Sequence, residues 1–373
     1  MRVSVSAKRL HEALERCLPV CKASGGIEWT SHVLLDARDG EFWVHADNLT
    51  LAVSVFVQAD VEQDGRALVP GRILGQVAAA ANGAVGLESS GSRLAVTGCG
   101  TWDLAGLFAD DFAGSLTSPV VAAGAVSVDG AALARAVSSV SRAFGRPGQG
   151  ETRAHIAGFL LQAVDGDAGR RLWATATDGH RICIADGGPW AGGDLCVVPP
   201  KAAAQALHDL LESGPVSLAV EGSFLRAVGH EAALGIRLVA GQFPDCSSFL
   251  PGVALGRGTT APGELAAAMR RAGLVLSDKH PGAVLAAGDG QAVITAVNPD
   301  LGECVSRCPV EWTGEPIPGL VYNLKFLADG VAAADSDPVA IQYEGPDRPL
   351  FLLPAGDREW FCVFGVMPMA MER

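Results

Sequence analysis

The chain has 373 residues, of which 49% are hydrophobic, and this length predicts two or three domains with cores of their own. No run of about 18 apolar residues occurs, and the segment from Met1 to Val5 reads as a strand rather than a signal peptide, so we expect a cytoplasmic protein without a membrane span. The formal net charge of −13, taken alone, argues against nucleic acid as a partner, since such binders usually carry a basic face.

From the N-terminus onward, six segments carry apolar residues at the spacing typical of short amphipathic helices. They recur about every 60 residues, which indicates an internal repeat. Proline suits a first helical turn and short polar residues suit an N-cap. The residues at these starts are Ser6, Pro70, Asp129, Pro199, Pro262 and Asn323. The predicted helices are 6–18, 70–81, 129–144, 199–211, 262–274 and 323–334.

Between the helices lie short runs of alternating apolar and polar residues, separated by Gly and Asp, which predict antiparallel strands. One helix followed by about four strands, six times over, indicates a two-fold repeat within each of three similar α+β domains. Each domain would pack two helices on the same side of its antiparallel sheets. Breaks near Pro119 and Pro251 give the predicted domains 1–121, 122–252 and 253–373.

The middle of the chain contains Thr177-Asp178-Gly179-His180-Arg181 between two apolar runs. Asp-Gly at such a place is a strong signal for a tight hairpin turn. The turn would raise Thr177, His180 and Arg181 onto a surface, where three polar side chains on a rigid strand pair suit a docking site. The alternative is a plain hairpin tip with a solvated histidine and arginine.

Asp178 and His180 also invite comparison with a catalytic dyad, but residues i and i+2 around a glycine turn point apart. The chain lacks G-x-S-x-G, P-loop, H-E-x-x-H and G-x-G-x-x-G patterns in the context that such chemistry needs. Its nine scattered cysteines include two C-x-x-x-C pairs without histidines at zinc-ligand spacing, and we interpret them as reduced structural thiols. We therefore expect no catalytic residue, no metal and no cofactor.

The charge of the predicted helices differs from that of the rest of the chain. The helices hold ten Lys and Arg against six Asp and Glu, a net +4, which leaves −17 on the remainder. A positive helical face with an acidic exterior suits loose, sequence-independent contacts with phosphates. The alternative is that helices simply collect arginine.

Several stretches match one known pattern in the right order, from the middle of the chain to its C-terminal end. They are Ile156–Leu161, Ala176–Arg181, Val197–Lys201, Gly241–Asp245, Leu250-Pro251, Leu276–Lys279, Asn298-Pro299 and Val366–Met369. Taken together, they resemble the motifs of bacterial sliding clamps, the beta subunits of DNA polymerase III. The resemblance spans the whole chain, but it is clear from residue 150 onward and thin in the first 120 residues.

This resemblance implies a head-to-tail homodimer that forms a ring, with twelve inner helices around duplex DNA. It implies a processivity factor in DNA replication, whose partners are double-stranded DNA without sequence preference, the DNA polymerase III alpha subunit, the clamp loader and other proteins with clamp-binding motifs. The DNA-facing residues would be Arg72, Arg135, Arg142, Arg146, Arg153 and Lys201. The dimer interface would contain Trp102, Leu104, Val275 and Leu276, although a plain core strand also explains the first two.

The family binds short partner peptides in a cleft between its second and third domains. Two methionines and a phenylalanine would give this cleft an adaptable apolar floor. By resemblance, the cleft would use Ile156, Thr177, Gly179, His180, Arg181, Ile182, Pro244, Phe249, Val366, Met367, Pro368 and Met369. The alternative for the tail is a disordered C-terminus. The preceding residues 361–364 argue against this alternative, because their pattern is typical of a buried strand.

The chain also departs from the family pattern at the cleft. Gly365 stands where the family usually has an apolar residue, Ser248 replaces a position that is often basic, and Phe249 is larger than the usual aliphatic. Ala113 replaces a usual proline in the first domain. A specialised clamp paralogue with altered peptide preference is therefore the second interpretation, and an enzyme that uses His180 is the third.

Overall fold

A computed structural model describes residues 1–21, 26–114, 124–145, 156–166, 169–212, 214–356 and 361–369. None of the helices in these ranges is long and apolar enough to cross a membrane. Two residues predicted to face DNA, Arg146 and Arg153, lie outside the described residues, as does the predicted domain break after residue 121.

Six α-helices occur in the described ranges, one in each predicted segment. They are α1 (Ala7–Cys17), α2 (Gly71–Ala80), α3 (Gly130–Ser141), α4 (Ala204–Glu212), α5 (Pro262–Gly273) and α6 (Leu324–Ala334). Pro262 opens α5, and the Asn323 side chain caps α6 by accepting hydrogen bonds from two backbone N–H groups, as predicted. Ser6 makes no such bond, and α4 starts later than predicted because Lys201–Ala203 form a 3-10 turn.

Every strand pair among the described residues is antiparallel. The first thirteen strands are β1 (Arg2–Ser6), β2 (His32–Arg38), β3 (Glu41–Asp47), β4 (Leu51–Phe56), β5 (Ala59–Gln63), β6 (Gly65–Pro70), β7 (Ala84–Ser90), β8 (Arg93–Thr97), β9 (Thr101–Ala105), β10 (Val126–Val128), β11 (Leu160–Gly166), β12 (Gly169–Thr177) and β13 (Arg181–Pro189). The others are β14 (Cys196–Val197), β15 (Val216–Glu221), β16 (Phe224–Val228), β17 (Ala232–Arg237), β18 (Gly256–Thr260), β19 (Gly282–Gly288), β20 (Gln291–Asn298), β21 (Gly302–Pro309), β22 (Glu311–Gly314), β23 (Ile317–Asn323), β24 (Val339–Tyr343), β25 (Leu350–Pro354) and β26 (Cys362–Val366).

The chain divides into two compact units, and the first comprises Met1–Ala131 with Ala202–Leu238. It holds a five-stranded sheet of order β5-β1-β7-β8-β9 and an eight-stranded sheet of order β10-β15-β16-β17-β4-β3-β2-β6. Helices α1 and α2 pack against each other, and α1 also packs on β3 and β4. The apolar stripe of α1 is buried, since Leu10 and Leu14 have almost no exposed surface.

The second unit comprises Ala132–Lys201 with Val239–Arg373. Its nine-stranded sheet has the order β14-β11-β12-β13-β26-β25-β24-β18-β22, and its four-stranded sheet has the order β21-β20-β19-β23. Helix α6 packs on β25 and β26, α5 packs on β20 and β21, and the two helices contact each other. The long sheet places the central hairpin, β12 and β13, directly beside the C-terminal strand β26.

These helices on antiparallel sheets confirm the predicted α+β class. The boundaries after residues 121 and 252 are not tested by the two compact units, and they stay a prediction.

Candidate functional site

The predicted tight turn joins β12 to β13 and is fixed by its own side chains. Gly179 has a φ of +90°, a conformation that favours glycine. The Asp178 carboxylate accepts hydrogen bonds from the backbone N–H groups of His180 and Arg181, at 3.0 and 3.1 Å. The Thr177 hydroxyl donates to the Arg181 carbonyl at 2.7 Å and accepts from the Gly179 N–H at 3.1 Å. The turn therefore keeps its shape without help from a ligand.

Arg181 is not raised onto the surface as predicted, since only 8% of the residue is exposed. Its guanidinium pairs with the Asp178 carboxylate at 3.0 Å and with the Asp329 carboxylate of α6, and it donates to the Phe144 carbonyl at 3.0 Å. It also lies 4.2 Å from the centre of the Phe326 ring. Because its N–H groups donate to these three partners, Arg181 anchors the hairpin and offers the cleft little positive charge. The carboxylate of Asp178 is likewise committed, so no dyad with His180 forms.

Beside this hairpin lies a mainly apolar cavity of about 180 Å³. The structure brings together nine of the twelve residues predicted to bind peptides: Ile156, Thr177, Gly179, His180, Arg181, Ile182, Pro244, Phe249 and Met367. Four further lining residues were not predicted: Asp245, Cys246, Pro349 and Gly365. We call this cavity the cleft.

The C-terminal residues Val366, Pro368 and Met369 are not among the described residues that line this cavity, and their part in peptide binding stays a prediction. Val366 is buried within the sheet, opposite Arg181 on β13. Met367 stays at the cleft because its N–H donates to the His180 carbonyl at 2.9 Å. Two residues later the chain has turned to β23, where the Met369 N–H bonds the Val321 carbonyl at 2.8 Å.

The floor of the cleft includes Gly365, which the sequence marked only as a departure from the family. A methyl group added there would lie 3.1 Å from side-chain carbons of Ile182 and Phe351, and 3.2 Å from Pro349. Any larger side chain at this position would therefore crowd these three residues, which would have to shift. Pro349 lies just before β25, and no local pattern in the sequence links it to the hairpin.

One side of the cleft is formed by the 244–249 segment. Phe243 fixes this segment by packing into a buried cluster with Leu160 and Val198. Hydrogen bonds from Ser247 hold the pKa of Asp245 below its usual value, while burial raises the pKa of the Cys246 thiol to about 11. Beyond Ser247 the chain makes a short 3-10 turn that leaves Phe249 37% exposed at the cleft. This side is therefore a fixed apolar edge with one exposed carboxylate.

Four of the six residues predicted to face DNA are described, and these four lie on helices or next to them. Arg72 on α2, Arg135 on α3 and Arg142 after α3 are exposed, which suits contact with a polyanion. Lys201 is half-buried, donates to the Gly145 carbonyl at 3.4 Å, and has its pKa lowered mainly by burial. It is the least suited of these four to a phosphate contact.

In the second unit, a wide recess of about 930 Å³ opens between the end of α3 and helices α5 and α6. Arg142, Arg270 and Lys325 line it and are exposed. By contrast, Arg271 is held by the Ser306 hydroxyl and the Arg307 carbonyl. Three exposed cations from three segments thus line one recess, but the carboxylates of Asp178, Asp278 and Asp329 line it as well, so the recess is of mixed charge and the positive helical face stays a prediction.

The predicted interface residues lie near an edge strand and a helix end. Trp102 and Leu104 are half-buried on β9, the edge strand of the five-stranded sheet. Val275 and Leu276 are half-buried just after α5. The neighbouring Leu274 was not predicted at the interface and is 82% exposed. An exposed leucine beside two half-buried aliphatics is an apolar surface at this helix end, and its part in a dimer interface stays a prediction.

The described residues contain no group of three or more His, Cys, Asp and Glu side chains that could hold a metal ion. Their nine cysteines are free thiols, and Cys17, Cys21 and Cys308 of the two C-x-x-x-C pairs are buried. Nothing in the described geometry points to cofactor binding.

The chain is similar to known proteins along its length. A family model for the C-terminal domain of the DNA polymerase III beta subunit matches residues 257–370. The beta sliding clamp of Caulobacter vibrioides is 25% identical over 367 residues, which cover 95% of this chain and 96% of that protein. The beta sliding clamp of Vibrio cholerae is 30% identical over 196 residues, which cover 51% of this chain and 52% of that protein.

Two solved structures show the same fold. The sliding clamp of Bartonella birtlesii, crystallised with griselimycin, matches with a TM-score of 0.90 at 23% identity, over 100% of both chains. The sliding clamp of Caulobacter crescentus matches with a TM-score of 0.87 at 24% identity, again over 100% of both chains. The helices, the sheets and the cleft agree with these similarities: residues 257–370 match the C-terminal domain of the DNA polymerase III beta subunit, and the chain as a whole is similar to bacterial beta sliding clamps and has their fold.

Proposed function

We propose that this chain is a processivity factor, a ring-shaped sliding clamp that encircles duplex DNA and tethers the replicative polymerase through the cleft. The observation that carries the proposal is the convergence of the central hairpin, the 244–249 segment and Met367 on one apolar cavity. These stretches are far apart in the sequence, and a cavity bordered by methionine and phenylalanine suits peptides with leucine or phenylalanine side chains.

The partners would be double-stranded DNA, the DNA polymerase III alpha subunit, the clamp loader and other proteins with clamp-binding motifs, and the site of action the cytoplasm. The relatives named beta sliding clamp support this set. The protein is not an enzyme, since the family is non-catalytic.

The ring would be a head-to-tail homodimer, and two edge strands support it. β9 closes one end of the five-stranded sheet and β21 closes one end of the four-stranded sheet. An edge strand of one copy can extend a sheet of the second copy. Leu274 and Leu276, at the end of α5, would add apolar surface to this contact. Light scattering should give twice the chain mass.

A charge placed at Leu276 should prevent the dimer, because it would be buried without a partner. Leu276→Asp should therefore give monomers, while Val253→Asp, at a fully exposed position, should leave the mass unchanged. A wild-type chain that stays monomeric at micromolar concentration would contradict the ring.

DNA binding would be topological and without sequence preference. Affinity for short linear duplex should be weak and steeply dependent on salt, because only phosphate contacts contribute. Replacing Arg142 and Arg146 by Glu should weaken loading on DNA, whereas Arg257→Glu, an exposed site on β18, should not. Tight, sequence-selective binding to a linear oligonucleotide would contradict this part of the proposal.

The decisive experiment is loading onto nicked circular DNA by the cognate clamp loader, followed by linearisation. A ring held only by topology stays on the circle and slides off the cut molecule. Retention after linearisation, or failure to stimulate a polymerase that carries a clamp-binding peptide, would count against a processivity clamp.

A second candidate is a specialised clamp paralogue with its own peptide preference. The glycine at 365 and the large Phe249, which line the cleft, and the uncharged Ser248 next to Phe249 in the chain favour it. Peptides from the alpha subunit and from other partners should be compared by competition. A paralogue would bind the alpha-subunit peptide at least tenfold more weakly than another partner's peptide.

A further inference from the structure

A second, larger cavity of about 750 Å³ lies beside the cleft in the same compact unit. It is mainly apolar, and its lining includes Gln162, Trp173, Ile184, Cys196, Phe243 and Leu250. None of these residues was predicted to bind peptides. We call this cavity the outer groove.

The outer groove lies on one face of the strands that carry the hairpin. The register places Leu160, Thr175 and Ile184 in one row across β11, β12 and β13, and Gln162 beside Trp173 in a neighbouring row. Side chains in such rows share a face of the sheet. The groove floor is therefore as well ordered as the sheet itself.

The wall between the outer groove and the cleft is a single stretch of chain. Pro244, Asp245 and Cys246 line both cavities. Phe243 fixes this wall by packing against Leu160 and Val198. An extended chain that leaves the cleft across Cys246 would thus enter the outer groove without any rearrangement of the protein.

The chemistry of the groove indicates its occupant. Trp173 stacks on Phe361 with ring centres 5.4 Å apart and offers a flat aromatic surface. The one charged side chain among the described residues that line the groove is Asp245, which is exposed on the wall. An aromatic side chain suits the floor, and a cation suits the wall.

We propose that the outer groove is a second subsite for partner peptides, which takes an aromatic side chain a few residues from the apolar anchor in the cleft, with a basic residue between them over Asp245. This inference rests on the proposed peptide-binding function of the cleft. It deepens that function, because partners with the same anchor would be distinguished by the residues that flank it.

The test uses unlabelled peptides of three kinds, five peptides in all, in competition with a fluorescent anchor peptide. The first is a pentapeptide with two leucines and a phenylalanine. The second adds Lys-Gly-Lys-Trp at either end, four residues that reach at most about 13 Å. The third replaces both lysines by glutamate. On the wild-type protein, one of the two lysine extensions should tighten binding about tenfold, and the glutamate version should lose most of this gain.

Two variants place a cation in the groove without touching the cleft. Cys196→Arg and Gln162→Arg change exposed positions, so folding should survive, and thermal melting checks it. Both should remove the gain from the extension and leave the pentapeptide's affinity within about twofold. Cys99→Arg, at an exposed cysteine of the other compact unit, is the matched control and should change neither affinity.

The outcomes distinguish a failure of the outer groove from a failure of the cleft. If the pentapeptide binds but neither extension tightens binding, or if both arginine variants keep the gain, the outer groove is not a subsite and the cleft stands. If the pentapeptide does not bind, or binds equally to a chain truncated after Val366, the proposed cleft fails and this inference falls with it.

Discussion

Two sides of the cleft are built in different ways. The hairpin side, residues 177–182, is fixed by side-chain hydrogen bonds within the turn and by the buried ion pairs of Arg181 with Asp178 and Asp329. The tail side, residues 367–369, is held to its neighbours by backbone bonds from Met367 and Met369. The comparison indicates that the hairpin sets the shape of the cleft, whereas the tail contributes an adaptable methionine.

The strongest way to break the hairpin side is to remove its anchor. Arg181→Ala leaves the carboxylates of Asp178 and Asp329 without their shared cation, so the free energy of unfolding should fall by about 3–5 kcal/mol. Chemical denaturation followed by circular dichroism measures the loss. Arg257→Ala, at an exposed site, is the control and should cost little. A loss below about 1 kcal/mol for Arg181→Ala would show that the network does not anchor the hairpin.

The tail side should respond in the opposite way. Truncation after Val366 removes Met367 and the two backbone bonds, but it leaves the buried strand β26 in place. Folding and dimerisation should therefore survive, while the affinity for an anchor peptide falls by about a hundredfold. Fluorescence anisotropy on intact and truncated chains measures it. Equal affinities would place the peptide site elsewhere.

Single substitutions in the tail sharpen the comparison further. Met367 lines the cleft, so Met367→Ala should weaken peptide binding by about 1–2 kcal/mol, since an apolar contact is withdrawn. Met369 lies against β23, 38% exposed, and Met369→Ala should have almost no effect. Equal losses of peptide affinity for the two variants would mean that the tail adopts a different conformation when a peptide is bound.

The smallest effect concerns the turn of the 244–249 segment and depends on pH. Hydrogen bonds from Ser247 hold the pKa of Asp245 below its usual 3.8. The ionised Asp245 carboxylate therefore stabilises the folded turn fully above about pH 4, and this contribution to the free energy of unfolding is lost as the pH falls through the lowered pKa. Ser247→Ala removes the hydroxyl bond but keeps the N–H bond, and should raise the pKa part of the way. Carbon NMR of the Asp245 carboxyl measures it, and an unchanged pKa would exclude the hydroxyl as a cause.

The fold followed from the sequence because its signals are local. Helix periodicity and the Asp-Gly turn depend on neighbours a few residues away, so the six helices and the hairpin lie where they were predicted. The start of α4 was misplaced because Pro199 suits a first helical turn as well as the loop that precedes the 3-10 turn.

The site was predicted less completely because its decisive contacts are long-range. Asp329 lies 148 residues from Arg181, and no sequence pattern shows that the two meet. An arginine beside an Asp-Gly turn therefore looked solvated although it is buried. Met367 of the tail motif lines the cleft, but the motif gave no sign that the Met369 N–H bonds to β23 instead.

Gly365 has a consequence for inhibitors aimed at the cleft. A compound that fills the space above this glycine would gain contacts that a clamp with a side chain at that position cannot offer. Every glycine codon is a single base change from a codon for alanine and from one for valine. Because the nearest carbons are only 3.1–3.2 Å from an added methyl group, either change would force Ile182, Phe351 and Pro349 to shift, and Ile182 and Pro349 line the cleft. We expect either change to alter the shape of the cleft and to weaken binding of such a compound, and a scaffold that leaves that space empty to be less affected.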